Sequence, residues 1–331
     1  TIISGTATPL IFTLLFKIIP QQKLGSWLGV YFMIASVGGI LGGRAVKEIL
    51  EYGYPVAFEI LFIGTFIFAA GMAIAVWFIN EPEGEPAPRK ENFGVYARHL
   101  AGIIKSDRNL VRFFVGMWLG VGHYIALTFY SAYAMKVKGI DAAETGMFVS
   151  MSLIGWLLAS LGPLFFILAP VDWLMRISGN RLGIPGNILS AGWFADRFGP
   201  KQALIVFQVT ALAGVALALA SRSVLGFYFV MIIAGFAQIC NNIGYSNMTM
   251  LSCPIQDKSS YIGLVNFAVF PFAVVIPMLV GGLIGKGILT YSLTFYLCIG
   301  LMLATTVYFA VFVDNPAAFK EMQAKAVAAK T

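Results

Sequence analysis

The chain of 331 residues is 59% hydrophobic and 11% charged, and its mean hydropathy is +0.84. These values exclude an ordinary soluble domain, in which roughly a quarter of the residues are charged. The formal net charge is +7, but no stretch between the apolar runs is long enough for a basic nucleic-acid-binding domain. We therefore predict an all-α polytopic membrane protein whose partners include the lipid bilayer and no nucleic acid.

Nine apolar runs are long enough to cross a bilayer as helices. They cover residues 1–19, 25–43, 55–79, 109–134, 144–169, 202–220, 224–250, 260–285 and 290–313. Short polar turns join most of these spans. The exception is 80–108, which starts rich in Pro and Glu and continues as a basic amphipathic segment. This composition is typical of a linker between two helical bundles.

The linker divides the chain into two predicted bundles. Residues 1–79 would form the first, 109–313 the second, and 314–331 a tail. The stretch near 164–187 is too short for two more crossings. We interpret it as an insertion that forms a cytoplasmic or interfacial excursion with Trp173 and Arg176 at headgroup level, with a re-entrant element as the alternative.

The basic residues predict the orientation. If the loops alternate sides, 16 of the 22 lysines and arginines fall on the side that holds the 80–108 linker, the loop around Asp196 and the tail. Positive charge is enriched in cytoplasmic loops of membrane proteins. We therefore expect a multi-pass protein of the cytoplasmic (inner) membrane with these three segments in the cytoplasm.

One polar loop, GWFADRFGPK at 192–201, lies between two apolar runs. Composition alone is equally consistent with a simple solvated turn. The pattern nevertheless resembles the signature loop of the major facilitator superfamily of transporters. The residues that carry this resemblance are Gly192, Asp196, Arg197, Gly199 and Lys201.

The resemblance implies a two-bundle architecture with six helices in each half, and a signature loop between the second and third helix of a half. Here the loop follows the second span after the linker. On this reading 109–313 is a complete C-terminal half, and 1–79 holds the last three helices of the other half, so that three helices are missing (3 + 6). A repeat at a shift of 234 residues, which aligns Pro20 with Pro254 and Gly29 with Gly263, supports this assignment.

For the loop itself the resemblance implies a gate. Asp196 is expected to meet the N-terminal end of a helix from the other bundle, where the helix dipole favours an anion. Residues 25–27, at the start of the second span, are the candidate end. Arg197 and Lys201 are expected to hold neighbouring carboxylates or carbonyls.

Polar residues within the spans concentrate in two helices. One set follows i, i+3, i+4, i+7 spacing and therefore shares a helical face: Gln238, Asn241, Asn242 and Tyr245. The other set lies in the span 109–134: His123, Tyr124, Thr128 and Tyr130. Either these residues hydrogen-bond neighbouring helices, or they line a cavity. The resemblance implies the cavity, since the family's first and fourth helices of each half line it.

A cavity of hydroxyls, amides and aromatics suits a small neutral polar or amphiphilic solute better than a di-anion, which calls for Arg. We therefore predict secondary active transport by alternating access, driven by the solute's own gradient or coupled to a proton or sodium ion. The alternative function is a non-transporting membrane scaffold or assembly factor with the same fold.

Two glycine-rich runs close spans 25–43 and 260–285. Gly38 with Gly42, and Gly281 with Gly285, have the spacing that lets helix backbones approach closely, so we predict close helix packing at both.

No enzymatic constellation is visible, because the chain lacks G-x-S-x-G, G-x-x-x-x-G-K and H-E-x-x-H motifs. Three cysteines show no C-x-x-C spacing and only two histidines occur. We predict a non-enzymatic protein with no catalytic residues, no cofactor and no bound metal.

Overall fold

A computed structural model of the chain describes residues 19, 23–50, 52–53, 55–78, 93–141, 144–162, 190–252, 258–317, 319–321 and 324. Eleven helices follow one another in these residues. They are α1 Leu24–Leu50, α2 Val56–Trp77, α3 Phe93–Ser106, α4 Arg108–Leu119, α5 Val121–Lys136, α6 Thr145–Leu161, α7 Ala191–Phe198, α8 Pro200–Ala220, α9 Val224–Ser252, α10 Lys258–Gly285 and α11 Tyr291–Phe312. The predicted span 1–19, apart from Ile19, and the predicted insertion 164–187 lie outside the described residues.

Seven stretches of the described chain are long and apolar enough to cross a membrane: α1, α2, α4 together with α5, α8, α9, α10 and α11. The prediction of an all-α polytopic membrane protein is confirmed. The predicted span 144–169 corresponds to the shorter α6, which ends at Leu161. The helix stops there because Gly162 adopts a φ of 84°, and a proline follows it in the sequence.

Helices α4 and α5 form one span that is interrupted at Gly120. The Gly120 N–H donates to the carbonyl of Gly116, and the His123 N–H donates to the carbonyl of Gly120. A Cβ on Gly120 would lie 2.8 Å from Nε2 of Gln208 on α8. A side chain here would displace the amide of Gln208, and α8 lies close against the middle of the span at this interruption.

The core lies among the helices from α4 to α11. Helix α9 packs against α6 and α8, and α11 packs against α5 and α8. Stacked rings of Tyr133 and Phe295, 4.5 Å apart, join α5 to α11. In the most apolar window of the α4–α5 span 61% of the residues are buried, against 6% in α2, which lies against α1. Residues 24–77 are therefore joined to the rest mainly through α1, which contacts α6 and α7.

Glycines set the closest helix contact in the core. A Cβ on Gly155 of α6 would lie 2.0 Å from the carbonyl oxygen of Ile232 on α9. A Cβ on Gly235 of α9 would lie 2.0 Å from the carbonyl oxygen of Ser152. The two backbones touch, so a larger residue at either position would push α6 and α9 apart.

Candidate functional site

The signature loop folds as the short helix α7. Ser190 caps its N-terminus by accepting a hydrogen bond from the Trp193 N–H at 3.1 Å. Asp196 then reaches α1: its Oδ1 accepts from the Gly25 N–H at 2.7 Å, and its Oδ2 accepts from the Ser26 N–H at 2.9 Å and the Ser26 hydroxyl at 2.7 Å. The contact predicted between Asp196 and residues 25–27 is thus present at Gly25 and Ser26.

The carboxylate of Asp196 lies at the positive end of the α1 dipole. Backbone N–H groups in the first turn of a helix lack partners within that helix, and an anion placed there is stabilised. Burial raises the pKa of the Asp196 carboxyl above its ordinary value, and the hydrogen bonds from Ser26 and Gly25 oppose this shift. The site therefore combines a partly desolvated acid with donors that are suited to its charged form.

Two glycines allow α1 and α7 to meet here. A Cβ on Gly192 would lie 2.2 Å from the carbonyl oxygen of Gly25, and a Cβ on Gly25 would lie 2.5 Å from the carbonyl oxygen of Gly192. The same Cβ on Gly25 would lie 3.0 Å from the Nδ2 atom of Asn247 on α9. Gly25, Gly192, Asp196 and Asn247 thus meet in one tight contact, which we name the α1–α7 lock.

The remaining loop residues face their own bundle. Lys201 Nζ donates to the carbonyl of Ala310 near the end of α11, at 2.9 Å. The guanidinium of Arg197 lies over the rings of Trp193 and Phe198, 5.4 and 5.9 Å from their centroids. Lys201 therefore holds a carbonyl, as expected, and the guanidinium of Arg197 lies over aromatic rings of α7.

Sequence reasoning missed one residue, Asn315, that fixes the loop from behind. Asn315 Oδ1 accepts from the Lys201 N–H at 3.1 Å, and its Nδ2 donates to Gln202 Oε1 at 3.0 Å. Gly199 has a φ of 100°, and a Cβ there would lie 2.6 Å from Asn315 Oδ1. Asn315 thus caps α8. No sequence pattern links Asn315, which follows α11, to α8, which begins more than a hundred residues earlier.

The segment next to Asn315 also ties α11 to α4. Asn109 donates to the Asp314 carbonyl at 2.9 Å and accepts from the Asp314 N–H at 2.8 Å. Arg112 lies 3.9 Å from the Asp314 carboxylate, and both side chains are substantially exposed. This ion pair contributes little, whereas the reciprocal amide bonds define the geometry.

The polar face of α9 hydrogen-bonds side chains of α5 and α10. Gln238 Oε1 and His123 Nε2 of α5 lie 2.8 Å apart, and Gln238 Nε2 donates to Asn242 Oδ1 at 3.1 Å. His123 is 1% exposed, and its ring lies edge-on to Phe207 of α8, 4.7 Å between centroids. His123 and Gln238 are thus brought together between α5, α8 and α9.

Further along the same face the contacts turn towards α10. Asn241 Nδ2 donates to the Tyr124 hydroxyl at 3.2 Å, and the Tyr245 hydroxyl donates to Asn266 Oδ1 at 3.2 Å. Asn266, which sequence reasoning also missed, lies on α10 and donates to its own helix at Ile262. All four predicted residues of α9 therefore hydrogen-bond other side chains.

The comparison with protein families agrees with this geometry. The family model for the Major Facilitator Superfamily matches residues 2–184 and 171–330. The chain belongs to the major facilitator superfamily. It is accordingly a multi-pass membrane protein of a transporter family whose members generally are not enzymes. The chain matches no curated protein sequence.

Two of the predicted cavity residues of this superfamily member lie away from the network. Tyr130 is 1% exposed, packs against Phe295 of α11 at 5.5 Å, and places its hydroxyl 3.3 Å from the position of a Cβ on Gly214. Thr128 is exposed and donates to the Tyr124 carbonyl of its own helix. Helix α5 is similarly apolar on all its faces, so its sequence pattern could not predict which side Tyr130 and Thr128 would face.

The close packing predicted at the glycine-rich runs is not seen among the described residues and stays a prediction. A Cβ on Gly38, Gly42 or Gly285 would have no such residue's atom within 4 Å, and a Cβ on Gly281 would meet only the Phe129 ring, at 3.4 Å. Spacing alone identifies a small-residue face but not the element that covers it.

Proposed function

We propose that this member of the superfamily moves a small neutral polar or amphiphilic solute across the cytoplasmic membrane by alternating access. The observation that carries the proposal is the α1–α7 lock. Asp196 belongs to the bundle 109–313, and Gly25 and Ser26 belong to the bundle 1–79, so the contact joins the two proposed moving units. Movement between two bundles about a central site is the basis of alternating access.

The lock has the chemistry of a reversible contact. Its three hydrogen bonds all involve groups that water solvates well, so opening exchanges protein partners for water without leaving a charge buried. The backbones of α1 and α7 touch at Gly25 and Gly192. Packed contacts of this kind do not deform continuously, so the lock is either closed or open. Such an element has two discrete states.

The polar face of α9 favours a neutral solute. Gln238, Asn241, Asn242 and Tyr245 offer amides and a hydroxyl, and Tyr124 adds a half-buried hydroxyl from α5. His123, although fully buried, is the side chain in this group that can take up a proton, so a proton is one candidate coupling ion and sodium is the other.

The sidedness follows from the excess of Lys and Arg in the loops that share a side with Asp196. We therefore infer that the lock lies at the cytoplasmic entrance and closes it. The linker and the C-terminal tail lie on the cytoplasmic side with it.

Uptake into proteoliposomes tests the proposal. The purified chain is reconstituted with and without a pH gradient and with and without a sodium gradient, and a panel of labelled neutral solutes is offered. Gradient-driven flux is expected, and Asn241→Ala is expected to reduce it at least tenfold, whereas the exposed Thr65→Ala on α2 leaves it unchanged. Absence of flux for the whole panel overturns the transport proposal in favour of the scaffold alternative.

A further inference from the structure

Helix α3 presents an exposed basic surface that plays no part in the lock or the polar network. Its 14 residues contain no acidic side chain. Arg98 and Lys105 lie seven positions apart, so they project from the same side about two turns, or roughly 10 Å, from each other. Both are exposed. We name the strip formed by Arg98, Ala101, Gly102 and Lys105 the basic strip.

The surface between the two cations is open. Ala101 and Gly102 are exposed, and a Cβ on Gly102 or on Gly94 would meet no atom of the described residues within 4 Å. Arg98 Nε donates to the Gly94 carbonyl at 3.2 Å, which holds the guanidinium over the first turn. The strip is therefore a shallow seat with a cation at each end and small residues between them.

The opposite side of α3 fixes the helix against the bundle. Ile103 is 7% exposed and belongs to the core, and Leu100 packs against it. Val95 and Ile104 remain 42% and 37% exposed at the edges of the helix. An amphipathic helix with one anchored face, exposed apolar edges and basic residues is typical of a helix at a membrane surface.

The bilayer surface lies within reach of the strip. Only Asp107 separates α3 from α4, and Asp107 caps α4 by accepting from the Leu110 N–H at 2.9 Å. The span that starts with α4 enters the hydrocarbon region, so its first residues lie at headgroup level. The basic strip directly precedes them.

We propose that the basic strip binds the phosphate of an anionic phospholipid, whose headgroup lies over Ala101 and Gly102 between Arg98 and Lys105. Opposite charge selects an anionic headgroup over a zwitterionic one, and the exposed apolar edges favour a lipid over a water-soluble anion. This inference is independent of which solute the protein transports.

The experiment titrates a fluorescent phosphatidylglycerol into the full chain in detergent. The variant Arg98→Gln with Lys105→Gln is compared with Arg222→Gln with Lys286→Gln, which removes the same charges from exposed positions beyond the far ends of α8 and α10. We expect affinity to fall roughly fivefold for each charge lost from the strip and to stay unchanged in the control. Equal affinity in both variants overturns the proposal and leaves an acidic protein partner as the occupant.

Two further arms identify the ligand. Gly102→Leu fills the seat without changing charge and is expected to weaken lipid binding; unchanged affinity contradicts a headgroup seated there. Inorganic phosphate and glycerol phosphate are expected to compete poorly, since they lack acyl chains. Competition by either at the concentration of the lipid itself assigns the strip to a soluble phosphate and overturns the lipid assignment.

Discussion

The α1–α7 lock and the polar face of α9 use similar polar groups for opposite purposes. At the lock one half-buried carboxylate accepts three hydrogen bonds from a different part of the chain. On α9 the bonds run between helices of one bundle, and His123 and Asn241 are almost wholly buried. A contact at the rim of a protein opens without stranding polar groups, whereas one in its interior does not. The first is suited to switching, and the second to holding the proposed solute-binding groups in place within one bundle.

The sharpest test of this difference is steric. Gly192→Ala places a methyl group 2.2 Å from the Gly25 carbonyl, an overlap between backbone and Cβ that no rotamer relieves. The closed state is expected to lose about 3 kcal/mol, in the upper range for overpacking. The distance between spin labels at Lys23 and Arg108 should lengthen. Gly300→Ala, where no described atom lies within 4 Å, is the control; an unchanged distance distribution in Gly192→Ala contradicts the lock.

Removing the carboxylate is expected to have the next largest effect. Asp196→Ala abolishes all three hydrogen bonds, and bonds to a charged group contribute about 1.5–3 kcal/mol each when their loss leaves a partner unsatisfied. Because the Asp196 side chain is only half-buried, the net loss should be about 2 kcal/mol. The same spin-label pair measures it, and Asp196→Asn should fall in between.

The matched control for the acid is Glu59→Gln, which neutralises an exposed carboxylate at the start of α2. It should leave the distances unchanged. If Glu59→Gln opens the lock as much as Asp196→Asn does, net charge rather than the contact at Gly25 controls the opening.

On α9 the expected effect is on stability instead of on opening. Gln238→Leu removes the bonds to His123 and Asn242, which should lower thermal stability in detergent by roughly 1–2 kcal/mol. The spin-label distances should not change. A change in distance without loss of stability would mean that the network takes part in gating.

The smallest effect is expected behind the loop. Asn315→Ala removes the cap of α8 and should cost about 1 kcal/mol of stability. Asn315→Asp keeps the acceptor for the Lys201 N–H and should therefore retain most of the stability of the native protein. Equal loss in both variants would assign the effect to the Gln202 bond instead.

Sequence patterns predicted the spans well because a bilayer imposes a minimum length of apolar helix. The contact of Asp196 with Gly25 and Ser26 was also predicted, because the loop resembles the superfamily's signature loop and a helix N-terminus favours an anion. The sides faced by Tyr130 and Thr128 were not, because in an apolar span the pattern no longer separates inside from outside.

The missed residues share a physical cause. Asn266 and Asn315 each complete a contact between segments far apart in the chain, which only the packed structure brings together. The truly close helix packing at Gly155 and Gly235 was overlooked for the same reason. Single glycines without a repeated spacing become informative only when the facing backbone is known.

The reciprocal bonds between Asn109 and Asp314 have a consequence for how the molecule can be extended. They bring the start of α4 and the end of α11 together, so the first and last helices of this bundle leave from one spot. Any domain fused after Asp314 is therefore delivered beside the linker and the basic strip. A reporter attached there would sense movements of the linker without being inserted into it.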